Sequence, residues 1–172
     1  MIDQQNKGRP AAIAGSILFL FAAPGIVAGL IPWLISHWVF QPPFLGLEVV
    51  RIIGWLLIAS AFGLLIETFA RFALEGLGTP APVYPTKTLV VTGSYRFVRN
   101  PMYLAVVTLI LGQALVFSSW PLLIYAGIVW LVVHLFVVGY EEPTLRRTFG
   151  SQYEGYCLDV RRWLPRLMPW SG

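Results

Sequence analysis

The sequence predicts an all-α integral membrane bundle of four spans, and three observations carry that prediction. Hydrophobic residues fill 57% of the 172 positions, against roughly 45–50% in soluble globular domains. Charged residues fill only 12%, about half of the usual share of roughly 25%. A small soluble domain has proportionally more surface to cover with polar groups and would need more charge, not less. The apolar residues are also gathered into long runs with the charges at their ends, and the mean hydropathy is +0.71. This composition excludes a disordered chain, a nucleic-acid-binding domain and an ordinary cytosolic enzyme. The net charge of +4 does not point to nucleic acid, because the cations flank apolar runs. The single cysteine, Cys157, excludes an intramolecular disulfide framework and a Cys-based zinc site. Two histidines without companion ligands make no metal centre. The chain reads as one domain over residues 1–172.

Span one covers about residues 11–40 without an acidic or basic residue. It exceeds the roughly 20 residues that cross a bilayer but is too short for two full crossings. It is expected to kink at Pro24-Gly25 and again at Pro32. The run is too long for a cleavable signal peptide, and no small-residue cleavage pattern closes it. Span two covers about residues 49–74, span three 102–117 and span four 120–139. Only Ser118 and Ser119 separate the last two, which predicts an antiparallel helical hairpin. Gly112 and Ala114 facing Ala126 and Gly127 are expected to let its backbones approach.

The basic residues set the orientation. Lys7 and Arg9 precede span one; Arg71, Lys87, Arg96 and Arg99 lie between spans two and three; Arg146, Arg147, Arg161, Arg162 and Arg166 follow span four. With both termini cytoplasmic, only Arg51 lies on the far side, in agreement with the positive-inside rule. A fifth span would place Lys7 and Arg9 outside. Two segments are not spans. The connection over residues 76–99 carries Pro80, Pro82 and Pro85, which block helix, then a short extended run over 88–92 and a turn at Gly93. The tail over residues 141–172 is amphipathic. Leu145, Phe149, Tyr153, Tyr156 and Val160 recur every three or four residues with arginines between them, which predicts an interfacial helix on the inner leaflet.

Two constellations carry chemistry. Glu141-Glu142 follows span four at the membrane boundary, and adjacent carboxylates there are unfavourable unless something positive faces them. If the helix stops at Pro143, the dipole of its C-terminal end disfavours them further. They are either a solvated helix end paired with Arg146 or Arg147, or a site for a cationic ligand. The second constellation runs from Gly93 to Tyr103. Asn100 is expected to cap span three and Pro101 to occupy its first turn, a structural role sufficient for both. Tyr95 and Tyr103 flank the cap, and aromatic faces attract cations. The helix start presents free N–H groups to a carboxylate. Acidic pair, aromatic faces and N–H donors together suit a zwitterion with an extra positive charge, and S-adenosylmethionine fits that description.

The run from Lys87 to Tyr95, then Arg99-Asn100-Pro101-Met102-Tyr103, Glu141-Glu142-x-x-Leu145, Phe149-Gly150-x-x-Tyr153-x-x-Tyr156 and Arg162-Trp163-Leu164-Pro165 follow one another in order. Together they resemble the isoprenylcysteine carboxyl methyltransferase and phospholipid N-methyltransferase superfamily over about residues 86–166. The resemblance implies a small membrane methyltransferase that uses S-adenosylmethionine and has no Rossmann domain. It implies a cofactor pocket on the cytoplasmic side, built from segments 86–103 and 139–166. Its residues would be Lys87, Thr88, Leu89, Val90, Tyr95, Asn100, Pro101, Met102 and Tyr103, with Glu141 and Glu142 as the acidic pair. The carboxyl-methylating branch typically has His where this chain has Lys87 and Asn100, and Arg where it has Val137. Asn-Pro-Met-Tyr and Glu-Glu-Pro look more like the phospholipid-methylating branch.

Three further residues are candidates for the acceptor's head group. Glu67 and Arg71 share one face of span two, four residues apart, either as a structural pair or as head-group contacts. His134 lies seven residues before Glu141, on nearly the same face, either hydrogen-bonded between helices or acting as a base or head-group contact. His37, beside Trp33 and Trp38, reads as part of an interfacial aromatic belt. The expected activity is methyl transfer to a lipophilic, membrane-resident acceptor, either a carboxylate or an amine. A non-enzymatic helical scaffold or small-ligand-binding membrane protein is the alternative.

Overall fold

The computed structural model describes residues 22–75 and 89–171, with residues 72–75 as helical backbone only. The first part of span one, Lys7, Arg9, Pro80, Pro82, Pro85, Lys87 and Thr88 lie outside the described residues. Among the described residues every regular element is helical and no strand occurs.

Helix α1 covers Ala22–Ser36. The expected kink takes a specific form: Ile26–Leu30 widens into a π turn, and Pro32 enters the first turn of the α-helical part that follows. Proline has no N–H and its ring clashes with the carbonyl four residues back, so the helix widens ahead of it. Pro32 therefore cannot donate to Val27 or Ala28. Their carbonyls are satisfied from other helices: Tyr125 Oη donates to Val27 O at 2.9 Å and Gln113 Nε2 to Ala28 O at 2.7 Å. The proline that disrupts the helix thus creates the acceptors that fasten it to the bundle.

His37 ends α1 in the left-handed region, its ring edge-on to Trp33 at 5.6 Å. Arg51 holds the following loop, pairing with Glu48 at 3.0 Å, donating to Gln41 O and lying 5.5 Å over the ring of Phe40. Trp33, Trp38, Phe40 and Trp120 are exposed at this end of the bundle, opposite the tail.

Helix α2 covers Glu48–Glu75 and α3 covers Pro101–Phe117. α3 is the centre of the bundle, with Ala105, Ile110, Ala114 and Val116 fully buried. The close backbone approach is between α2 and α3. A Cβ on Gly54 would lie 2.8 Å from Gly112 O, and one on Gly112 would lie 2.9 Å from Gly54 O. This corrects the expectation for spans three and four: Gly127 is exposed and meets nothing within 4 Å. The hairpin does form. Ser118 reverses the chain at φ 53°, Ser119 N donates to Ala114 O at 2.9 Å, and α4 follows over Trp120–Phe136.

The helix does not stop at Pro143. A second π turn, Val137–Glu141, admits the proline as the first one admits Pro32, and the path continues as α5, Glu142–Phe149. Gly150, at φ 52°, breaks it before α6, Ser151–Asp159. The tail also differs from a single interfacial helix. The apolar faces of α5 and α6 fold onto the protein: Tyr153, Tyr156 and Val160 are buried against Leu89, Val91, Leu145, Phe149 and Trp170. After α6 the chain turns back along residues 96–99. Arg99 N donates to Arg161 O, Arg166 N to Phe97 O and Trp170 N to Arg96 O, at 2.9–3.0 Å.

The stretches Glu48–Arg71 and Trp120–Phe149 are long and apolar enough to cross a membrane; Ala22–Ser36 and Pro101–Phe117 are apolar but shorter. Ile52, Leu56, Phe62, Ile124, Val132 and Leu135 are exposed on α2 and α4, a cost in water that a lipid environment removes.

Candidate active site

The residues of the two sequence constellations meet at the tail-side end of the bundle. Gly93–Arg96 forms a 3₁₀ turn that carries Tyr95 inward, where it is buried. Tyr156 Oη, on α6, donates to the carbonyl of Tyr95 at 2.5 Å and fixes the turn from below. Burial first, then the negative charge of Glu141, push the Tyr95 phenol well above its ordinary pKa, with Tyr103, Tyr156 and Glu67 adding to it. Tyr95 therefore stays protonated, and two carboxylates from different helices lie within electrostatic reach of it. Tyr103, on the first turn of α3, donates to Glu141 Oε2 at 2.9 Å.

The acidic pair divides. Glu142 is 4% exposed and accepts two hydrogen bonds from Arg162, Nε at 2.6 Å and Nη2 at 2.9 Å, with Arg99 Nη1 at 3.4 Å. Its hydrogen bond raises the Arg162 guanidinium further above its ordinary pKa, ahead of the opposing effect of burial. The partners are not Arg146 or Arg147, which are exposed. Glu141 has no cation within ion-pair distance among the described residues; its partner is the neutral phenol of Tyr103. One carboxylate of the pair has guanidinium partners, and the other has a phenol.

Glu67 and Arg71 do pair, Nε to Oε1 at 2.9 Å. Ser94 Oγ also donates to Glu67 Oε2 at 2.5 Å, so the pair clamps the turn that presents Tyr95. Gly93 is at φ 55° and directly beneath: a Cβ there would lie 2.0 Å from Glu67 Oε1 and 2.6 Å from Arg71 Nε. Only glycine fits both the backbone and the space.

The remaining expected residues are distributed differently. Asn100 precedes α3, but its side chain does not cap the helix; Nδ2 reaches the carbonyl of Arg162 at 3.2 Å, because the returning tail offers an acceptor there. The first N–H groups of α3 therefore receive no side-chain cap from Asn100. Pro101 occupies the first turn as expected, and Met102 joins the bundle core. Val90 is buried beside the turn, while Leu89 packs on the tail helices. His134 lies higher on α4, stacked on Trp130 at 5.3 Å. Trp163 Nε1 donates to its Nδ1 at 3.0 Å, which ties the ring to the returning tail.

The sequence contains further contributors that were not assigned a role: Arg99 and Arg162 around Glu142, Ser94 on Glu67, Tyr156 under Tyr95 and Trp163 on His134. The buried acidic pair was the available signal for the two arginines, since a buried carboxylate requires a cation. The donor set fits the chemistry of S-adenosylmethionine: a carboxylate with no ion-pair partner among the described residues, two tyrosines and a helix start without a side-chain cap suit its ammonium, sulfonium and carboxylate.

No individual curated protein matches the chain. The family model for phospholipid methyltransferase matches residues 49–152, which run from the start of α2 into α6 and include Glu67, Tyr95, Tyr103 and Glu141. The chain is a member of the phospholipid methyltransferase family.

Proposed function

We propose that this chain transfers a methyl group from S-adenosylmethionine to a lipid-like acceptor, with Glu141, Tyr103 and Tyr95 facing the cofactor. The family is one of methyltransferases acting on membrane lipid-like substrates. The observation that carries the residue assignment is the division of the acidic pair. Glu142 has two guanidinium partners; Glu141 has a phenol, at a place where its charge needs a cation.

S-adenosylmethionine, when bound, supplies an electrophilic methyl group on a sulfonium. Glu141 balances the positive charge, held in orientation by Tyr103. Tyr95 and Tyr103 add aromatic faces for a cationic ligand. The first N–H groups of α3 meet a carboxylate. Leu89 and Val90 line the approach, and the apolar surroundings exclude water; Lys87 and Thr88, which precede them in the sequence, lie outside the described residues. Positioning in a dry site supplies most of the rate, because methyl transfer needs in-line alignment with an unprotonated nucleophile. Glu67, Arg71 and His134 serve the acceptor: Glu67 for a cationic or proton-losing group, Arg71 for an anionic one, His134 as a head-group contact. The bundle crosses the membrane four times, with both termini and the pocket on the cytoplasmic side, and the acceptor enters from the bilayer.

Calorimetric titration of the detergent-solubilised protein with S-adenosylmethionine tests this reading. Wild type should bind, and Glu141→Gln should bind about ten- to a hundredfold more weakly, the value of a charged hydrogen bond in a partly buried site. A wild-type protein that binds no cofactor and methylates no lipid would instead be a scaffold.

A further inference from the structure

The chain that follows α6 is held to the bundle by its backbone, and several of its side chains are left outside. Arg99 N donates to Arg161 O at 3.0 Å, Asn100 Nδ2 to Arg162 O at 3.2 Å and Arg166 N to Phe97 O at 2.9 Å. These bonds pin residues 161–166 at the level where α3, an apolar helix of 17 residues, begins. Leu164 is 63% exposed, Met168 is 76% exposed and Leu167 is fully exposed. The segment also reaches the surface of α4. Trp163 Nε1 donates to His134 Nδ1, and His134 lies about two turns before Glu141. Leu131 and Val138, one turn to either side of His134 on the same face, are exposed. The tail therefore meets α4 on a face that is apolar and open. Residues 160–172 include Arg161, Arg162 and Arg166 and no Asp or Glu. Glu142 holds Arg162, whereas Arg161 and Arg166 have no carboxylate within ion-pair distance among the described residues. Asp159, the nearest acidic residue before them, accepts from Trp170 Nε1 at 3.0 Å.

We infer that residues 161–168 dock into an anionic bilayer surface, with Leu164, Leu167 and Met168 among the acyl chains and Arg161 and Arg166 at the charged head groups. Three large apolar side chains within five residues, all exposed, are a cost in water that a bilayer removes. Arginine suits the boundary, because its apolar stem follows the leucines inward while its guanidinium stays with negative head groups. The bilayer is favoured over a protein partner by position: the segment is hydrogen-bonded to an open apolar face of α4, on a stretch long enough to cross a membrane. The anchoring that the amphipathic pattern of the tail predicts thus falls to the non-helical chain after α6, because the apolar faces of α5 and α6 are used within the protein. This surface is separate from the cofactor pocket and from the acceptor. It reads the charge of the bilayer rather than one lipid molecule. The inference rests on the proposed crossing of the membrane by the bundle.

The test places a nitroxide on the full chain in lipid nanodiscs of phosphatidylcholine, with or without phosphatidylglycerol. Leu167→Cys carries the label in a Cys157→Ser background, and Gln152→Cys, on the exposed side of α6, is the control. Collisions with oxygen report lipid, and collisions with a water-soluble nickel chelate report water. At position 167 oxygen should win, at position 152 nickel should win, and phosphatidylglycerol should shift position 167 further toward oxygen. Arg161→Gln combined with Arg166→Gln should remove most of that shift, as should high salt. The backbone bonds of the segment survive both substitutions, so a folding defect would show separately in the melting temperature. Nickel access at position 167 in the anionic nanodiscs, or equal behaviour at positions 152 and 167, would overturn the inference. So would a position 167 indifferent to phosphatidylglycerol. Low access to both probes would mean that protein covers the leucines, a second copy of the chain, and would overturn it as well. The readout needs neither cofactor nor methyl transfer. A lipid-seated, charge-sensitive Leu167 in a protein that binds no S-adenosylmethionine would support the docking surface and remove the proposed activity.

Discussion

Arg162 grips Glu142 through two hydrogen bonds of 2.6 and 2.9 Å, joining the returning tail to the start of α5. This contact separates two residues that are adjacent and identical in the sequence. Glu142 is tied to the tail through Arg162, and Glu141 accepts from the Tyr103 phenol.

The two substitutions should therefore behave differently. Glu142→Gln leaves Arg162 and Arg99 without their carboxylate and should destabilise the protein by about 1–3 kcal/mol. Glu141→Gln should leave the melting temperature near that of wild type and reduce cofactor affinity. Thermal melts and calorimetry on both variants check this; equal destabilisation of the two would dissolve the distinction.

The crossing of α2 and α3 should be intolerant of side-chain volume. Gly112→Ala places a methyl group 2.9 Å from the backbone of Gly54 and 2.7 Å from Ile58 Cγ1, and should cost about 1–3 kcal/mol. Gly127→Ala, on an open face of α4, should be neutral or slightly stabilising. Melting in detergent ranks the two, and a tolerated Gly112→Ala would show that the helices can separate there without loss.

Gln113 is the main polar link between α3 and α1. Gln113→Leu removes the donor to Ala28 O and the acceptor of Trp38 Nε1, and should cost about 0.6–1.7 kcal/mol. The loss should be local, because the orphaned carbonyl lies in the π turn. Hydrogen exchange should rise around residues 26–33 and stay unchanged in α2. Uniform faster exchange would place Gln113 in the global core instead.

Topology is open to chemical labelling. In a Cys157→Ser background, Ser36→Cys and Glu48→Cys should react with an impermeant thiol reagent from the outside, and Lys7→Cys should not. External labelling at position 7 would overturn the four-span arrangement with both termini inside.

Composition and the spacing of apolar runs were sufficient to predict an all-helical, membrane-associated chain, because lipid selects for uninterrupted apolar stretches and this constraint is local. The Ser118-Ser119 turn, the Glu67–Arg71 pair and the place of Pro101 were legible for the same reason: each depends on residues at most four positions apart. The local rules failed where a distant partner competed. Asn100 bonds the carbonyl of Arg162 instead of capping its own helix, and Pro143 is absorbed by a π turn instead of ending one. Gly112 meets Gly54 instead of the neighbouring span, and the apolar face of the tail is covered by Leu89, Val91 and Trp170. Which of two adjacent glutamates pairs with arginine and which with a phenol was also beyond local reading. It depends on Arg162, twenty residues away, and on Tyr103, thirty-eight away, and burial makes each such pairing obligatory without revealing in the sequence which partner fulfils it.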